Sequence, residues 1–143
     1  MLVSEILRVK DNTSLFTATP ADKVRESVRT MTEHDIGSMI VMDHGKLVGM
    51  LTFREVLAVL DRQDGVLGTV SVGDVMESDP LTTGPQMEVM ELRGRMLETH
   101  SRYVPVLEGL TLLGVVSFHD VARAVYEEQS FENSRLKEYI AAA

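Results

Sequence analysis

Residues 17–56 return at 82–121 without a gap, at a constant offset of 65. Eleven pairs are identical: Thr17/Thr82, Pro20/Pro85, Val24/Val89, Glu26/Glu91, Met31/Met96, Glu33/Glu98, Val41/Val106, Leu47/Leu112, Gly49/Gly114, Phe53/Phe118 and Val56/Val121. Forty unrelated positions of ordinary composition would share roughly two or three. Other pairs exchange like for like, among them Met39/Val104, Val48/Leu113, Thr52/Ser117 and Glu55/Asp120. A chain made of two copies of one short unit has few ways to fold. Each copy can bury its apolar face only against its neighbour. Two copies also predict two related clefts.

Within each copy the pattern of apolar residues changes period at the same places. Phe16–Ala18 is short and apolar, and Thr19-Pro20-Ala21-Asp22 is a turn with proline near a helix start. Val24, Val28 and Met31 follow at helical spacing, as do Val89, Leu92 and Met96. Met39–Met42 and Leu47–Leu51 are strands joined by Asp43-His44-Gly45-Lys46, whose residues suit a hairpin turn. Phe53–Leu60 closes the unit as a helix. The expected order is strand, helix, strand, strand, helix. Asp61–Gly68 is a polar connector. Val70–Met76 leads into the second copy, and a cousin, Val3–Leu7, leads into the first at a slightly different offset. The last helix extends past its counterpart, from Val121 through Val125 to Leu136 and Ile140, as a charged tail.

Composition removes whole classes of function. The net charge of −8 opposes non-specific binding to nucleic acid or to an anionic membrane, and no Lys/Arg-rich run offsets it. A small anionic ligand needs only a local group of donors and stays open. No apolar run approaches the ~20 residues of a membrane-spanning helix. Met1–Lys10 mixes charge through its apolar residues and lacks the form of a signal peptide. Cysteine is absent, which removes disulfides, thiolate nucleophiles and zinc–thiolate sites and fits a cytoplasmic location. Asn12-Thr13-Ser14 is a formal glycosylation sequon, expected to be idle in a chain without a secretion signal.

The order of short motifs resembles the CBS domain, and the tandem resembles a Bateman module of the small stand-alone type. The marks are Val72-Gly73-Asp74-Val75-Met76, Thr82 to Pro85, Val104-Pro105-Val106 and Gly114-Val115-Val116-Ser117-Phe118-His119-Asp120, the last of which reads Gly49-Met50-Leu51-Thr52-Phe53-Arg54-Glu55 in copy one. The resemblance implies an α/β fold of two β-α-β-β-α CBS units related by pseudo-two-fold symmetry, with a C-terminal helical tail. The first unit would span 1–62, a connector 63–69, the second unit 70–126 and the tail 127–143. It also implies that an adenosine ligand (AMP, ADP, ATP, S-adenosylmethionine or an NAD-type molecule) binds in clefts between the units and regulates a partner protein. No catalytic activity, required cofactor or metal goes with it. The alternative is a structural dimerisation module with degenerate clefts.

Two readings apply to Ser117 and Asp120. One is a Ser-x-x-Asp capping box with a carboxylate on the helix dipole. The other adds a ligand: the carboxylate accepts hydrogen bonds from ribose hydroxyls while helix-start N–H groups face a phosphate. The two are compatible, and the resemblance favours the second. Copy one keeps the hydroxyl in Thr52 but has the longer Glu55, which makes it the weaker cleft. The stronger cleft is expected to comprise Thr82, Thr83, Pro85, Arg102, Tyr103, Val104, Pro105, Ser117, His119 and Asp120. Here Arg102 is a phosphate contact, Tyr103 borders the adenine or is a half-buried strand aromatic, and Thr82-Thr83 offers main-chain groups to a base edge. The weaker cleft comprises Thr17, Ala18, Gly37, Ser38, Met39, Thr52, Arg54 and Glu55.

The remaining motifs are negative. His34, His44, His100 and His119 have no metal-ligand spacing. There is no P-loop and no Gly-x-Gly-x-x-Gly. Met31, Met39, Met42, Met50, Met76 and Met96 sit in core-patterned segments and read as core filling. Val56, Leu57, Leu60, Val121 and Val125, with Leu136 and Ile140 of the tail, suggest an apolar face for a homodimer.

Overall fold

The change of period at each motif boundary becomes a change of element. The computed structural model describes residues 1–10 and 15–142, so the Asn12-Thr13-Ser14 sequon lies outside the described residues. In chain order the elements are α1 (Val3–Val9), β1 (Thr17–Ala18), α2 (Val24–His34), β2 (Ser38–Asp43), β3 (Lys46–Thr52), α3 (Phe53–Arg62), α4 (Val72–Val75), β4 (Glu77–Ser78), α5 (Val89–Thr99), β5 (Tyr103–Glu108), β6 (Thr111–Ser117) and α6 (Phe118–Ala142). The strand-helix-strand-strand-helix order expected of each copy is complete in the first; in the second the opening strand is reduced to a single parallel bridge, Thr83↔Val106, ahead of α5, β5, β6 and α6. The lead-in segments are helices, which their short sequences did not reveal.

The repeat holds to the level of register. β2 and β3 pair antiparallel from Ser38↔Thr52 to Asp43↔Lys46. β5 and β6 pair from Tyr103↔Ser117 to Glu108↔Thr111, each partner displaced by the same 65 residues. Both ladders bulge at the same step, Val41/Met42 and Val106/Leu107. The parallel contact Ala18↔Val41 recurs as Thr83↔Val106. Both first helices end on a left-handed residue, Asp35 (φ 51°) and His100 (φ 55°), whose N–H returns to Met31 or Met96. The Asp43–Lys46 hairpin turns through His44 (φ 51°) and Gly45 (φ 77°), the pair of positive φ values that a tight hairpin requires.

Two units form by packing. The described residues of 1–13 and 81–143 make one, and those of 14–80 the other. The boundaries read from the sequence follow chain order, whereas the packing exchanges the two lead-ins. α1 inserts Val3 and Ile6 among Val89, Leu92, Met96, Val104, Val106, Val116, Val121 and Ala124, the core of the second copy. α4 and its flanks supply Val72, with Leu67, Val70, Val75 and Met76, to the core of the first copy around Val24, Met31, Val41 and Leu51. The backbone contacts show which lead-in residues are equivalent. Val3 and Ser4 donate to the carbonyls of Met87 and Pro85, and Val72 and Gly73 donate to those of Asp22 and Pro20. Val3 thus matches Val72, and Leu7 matches Met76.

Gly49 and Gly114 are identical because of that match. A Cβ on Gly114 would lie 2.8 Å from Leu7 Cδ2, and one on Gly49 would lie 2.6 Å from Met76 Sδ and 2.8 Å from the Glu77 carbonyl oxygen. Each glycine lets the lead-in lie directly on its hairpin. The lead-ins then diverge. In one unit α4 gives way to β4, which pairs with Gly49 and Met50 of β3. In the other α1 stays helical to Val9.

Val121 is fully buried and belongs to a core, so it does not serve the outer apolar face expected of it. Leu57 is 60% exposed and remains on the surface. Of the six methionines read as core filling, Met31, Met39, Met50 and Met96 are buried and Met42 and Met76 half-buried. α6 is 25 residues long and exposed from Phe131 onward. Among the described residues no helix is long and apolar enough to cross a membrane.

Candidate functional site

The junctions β3–α3 and β6–α6 carry a hydroxyl residue followed three positions later by an acid, and both close into capping boxes. At the second, the Ser117 N–H donates to Asp120 Oδ2 at 2.9 Å, and the Asp120 N–H donates to Ser117 Oγ at 3.0 Å. At the first, Glu55 Oε1 accepts both the Thr52 N–H (2.7 Å) and the Thr52 hydroxyl (2.8 Å), while the Arg54 N–H donates to Thr52 Oγ1 (3.2 Å). The extra methylene of Glu55 is absorbed by this second bond to its own cap. The helix-capping reading therefore holds at both sites. It leaves the ligand reading of the same groups open.

The two carboxylates differ in what else reaches them. Lys10 Nζ lies 2.8 Å from Asp120 Oδ2 and also donates to the Val115 carbonyl at 2.7 Å. Burial pushes the Asp120 carboxyl up. The Lys10 hydrogen bond, the Ser117 N–H, the Lys10 charge and the Ser117 hydroxyl together outweigh burial and hold it below the usual aspartate value. Val115 corresponds to Met50, which is paired with Glu77 of β4 in the other unit. The lysine thus reaches the backbone position that a strand covers elsewhere. By the lead-in alignment Asp79 stands where Lys10 would be, so Glu55 has no such cation from its own lead-in. Lys10 was missed from the sequence. It precedes Asp120 by 110 residues and matches no motif, and only the exchange of the lead-ins brings it there.

The other residues expected in the stronger cleft fall into three groups. Arg102, Tyr103 and Ser117 come together: Tyr103 is opposite Ser117 in the ladder, and the Phe118 N–H donates to the Arg102 carbonyl at 2.8 Å. Val104 is core, Pro105 is buried, and Pro85 receives α1 through its carbonyl. Thr83 is also structural. Its N–H and C=O are taken by Pro105 and Leu107 of β5, and its buried hydroxyl donates to Met87 Sδ at 3.1 Å. Its main chain is engaged with β5, while the carbonyl keeps a second lone pair. Thr82 is half-buried and His119 exposed. In the other unit Thr17 and Arg54 are exposed, Gly37 and Glu55 half-buried, and Ala18, Ser38, Met39 and Thr52 buried.

A groove of about 340 Å³ runs between α1 and α6 and opens on Asp120. Its ionic walls are Glu5, Arg8 and Lys10 on one side and Asp120, Arg123 and Glu127 on the other. The volume is within the range of small-molecule sites. Of the ten residues expected in the stronger cleft, only Asp120 lines it. All four histidines are exposed, and no cluster of three or more His, Cys, Asp or Glu suited to a metal occurs among the described residues.

The family model for the CBS domain matches this chain twice, at residues 3–62 and 72–127. The mitochondrial CBS domain-containing protein CBSX3 of Arabidopsis thaliana is 31% identical over 96% of this chain and 71% of its own length. A solved structure described as a putative signal-transduction protein with CBS domains, from Burkholderia ambifaria, superposes with a TM-score of 0.83 at 27% identity, covering 90% of this chain and 96% of that one. CBSX2, solved in complex with AMP, superposes with a TM-score of 0.73 at 20% identity, covering 88% and 97%.

Proposed function

The chain belongs to the CBS-domain family, with two CBS units, and from that premise we propose that it is a regulatory module rather than an enzyme. It binds an adenosine-containing nucleotide at the strand-to-helix junction ending in Asp120 and passes the occupancy of that site to a partner protein. The observation that carries this reading is the Ser117–Asp120 box. It presents a half-buried carboxylate, held in its charged form, beside a groove large enough for a nucleotide. Ribose hydroxyls are donors and need such an acceptor. The Phe118 and Asp120 N–H groups at the start of α6 already donate to the Arg102 carbonyl and Ser117 Oγ, so a phosphate there must displace those partners or be held by side chains. That CBSX2 was solved with AMP supports the choice of ligand class.

Glu55 is the weaker acceptor in this reading because its extra methylene loses the tight geometry of a short carboxylate; both carboxylates already accept two donors on one oxygen. The net charge of −8 works against an anionic ligand, so affinities on the order of micromolar to millimolar are expected. Calorimetry with AMP, ADP, ATP, S-adenosylmethionine and NAD tests the proposal. Binding by at least one, reduced in Asp120→Ala by about 1.5–3 kcal/mol and less in Glu55→Ala, is the expected result. No heat and no gain in thermal stability with any of the five at millimolar concentration would instead favour a dimerisation module with degenerate clefts.

The protein acts as a homodimer in this reading. Leu57 and the apolar residues of α6 beyond Tyr126 give exposed surface toward the ~1,600 Å² that a stable interface buries. Sedimentation at tens of micromolar is expected to give a dimer, and a monomer refutes this part.

A further inference from the structure

Lys10 is bonded at two points, to Asp120 Oδ2 and to the Val115 carbonyl. An ammonium is a compact, strongly hydrated charge on a flexible stem, and it does best with an anion in reach. If ribose hydroxyls bind Asp120, as proposed above, they share the carboxylate whose Oδ2 now holds Lys10 and the Ser117 N–H, and they weaken its hold on the lysine. The lysine keeps its carbonyl contact and loses part of its anion. Glu5 and Glu127 also line the groove, but among the described residues the only ion pair Lys10 makes is with Asp120. A phosphate on the ligand supplies a replacement anion. A nucleotide has it on the same sugar, and a neutral nucleoside does not.

We propose that Lys10 makes the Asp120 site selective for phosphate-bearing adenosine ligands over neutral ones, by moving from the carboxylate to the ligand's phosphate. Lys10 is then both a latch on the empty site and a contact in the filled one. Because Asp79 occupies the matching place in the other unit, the Glu55 site has no such preference from its lead-in.

The inference rests on the ribose reading of Asp120, and the test separates the two. The full chain is titrated calorimetrically with AMP and with adenosine, as wild type, Lys10→Met, Lys10→Arg and Asp120→Ala. In wild type AMP binds more tightly than adenosine. In Lys10→Met the ratio of the two dissociation constants falls by about five- to tenfold, while Lys10→Arg retains most of it. An unchanged ratio in Lys10→Met overturns the role of Lys10 and leaves the ribose site standing. Binding that survives Asp120→Ala undiminished, or wild type that binds neither compound, overturns both. Should Lys10→Met fold poorly, the unaltered chain gives a second measurement. The AMP preference must shrink as salt is raised, because it rests on a charge at the protein surface, and a salt-independent preference refutes the proposal.

Discussion

Asp120 has two jobs that pull on one carboxylate, capping α6 and facing a groove, and its titration reports on both. Its folded-state value lies below the ordinary one for aspartate. The stability it contributes is therefore present above the unfolded value of about 4 and is lost as pH falls through the lower folded value. Asp120→Asn is expected to cost stability at pH 7 and progressively less in the acid range, so that the two proteins converge once the pH has fallen past the lowered folded-state value. Urea unfolding measured across that range checks the sign, and a difference that widens on acidification would contradict it. Lys10→Met is expected to move the same acid limb in the same direction, since Lys10 is the largest of the influences lowering Asp120. At this scale the sequence was legible where chemistry is local. Ser117 with Asp120 and Thr52 with Glu55 are three residues apart, and the hydroxyl and carboxylate reach each other within one helical turn. It was illegible for Lys10, whose partner is set by tertiary packing. It was silent on the packing duties of Thr83 and Val104, whose places in a motif gave no hint that one pairs its main chain with β5 and the other lies in the core.

The helices and hairpins followed from period and turn chemistry, and the bulge and left-handed caps recur in both copies because the same backbone problem recurs. The lead-ins did not follow, since four to seven residues carry too little periodicity to distinguish a helix turn from a loop. Their consequence is measurable at the two glycines. Gly49→Ala must displace a backbone carbonyl and is expected to cost about 1–3 kcal/mol. Gly114→Ala meets only the end of the Leu7 side chain and should cost less, and Leu7→Ala should relieve part of it. Denaturant unfolding ranks the variants, and a Gly114→Ala variant less stable than Gly49→Ala would mean that Leu7 is more tightly held than its geometry suggests. Packing also predicts opposite fates for the two ends of the chain. Ile6 is 3% exposed within a core, so Ile6→Ala should cost about 2–4 kcal/mol. Removing residues 131–142, which are exposed, should change unfolding by less than about 1 kcal/mol.

For the whole chain, the repeat announced two units but not how the chain is shared between them. Each copy was expected to begin with its own lead-in, because sequence order is all that a repeat displays. The cores are completed otherwise, and fragments should reveal it. Residues 14–80 contain every member of one core, so this piece should fold better than residues 1–62, which lack Val72. Residues 70–143 lack Val3 and Ile6 and should remain poorly ordered by circular dichroism until a peptide of residues 1–13 is added. A fragment of residues 70–143 that folds fully without the peptide would show that α1 is dispensable to its unit. The same sharing orders events during synthesis. As the chain leaves the ribosome, residues 14–80 can complete their core while the rest is still being made. α1, made before them, must wait, its Val3 and Ile6 without their place, until β5, β6 and the start of α6 have emerged. α1, early in the sequence, is thus among the last parts of the fold to be finished.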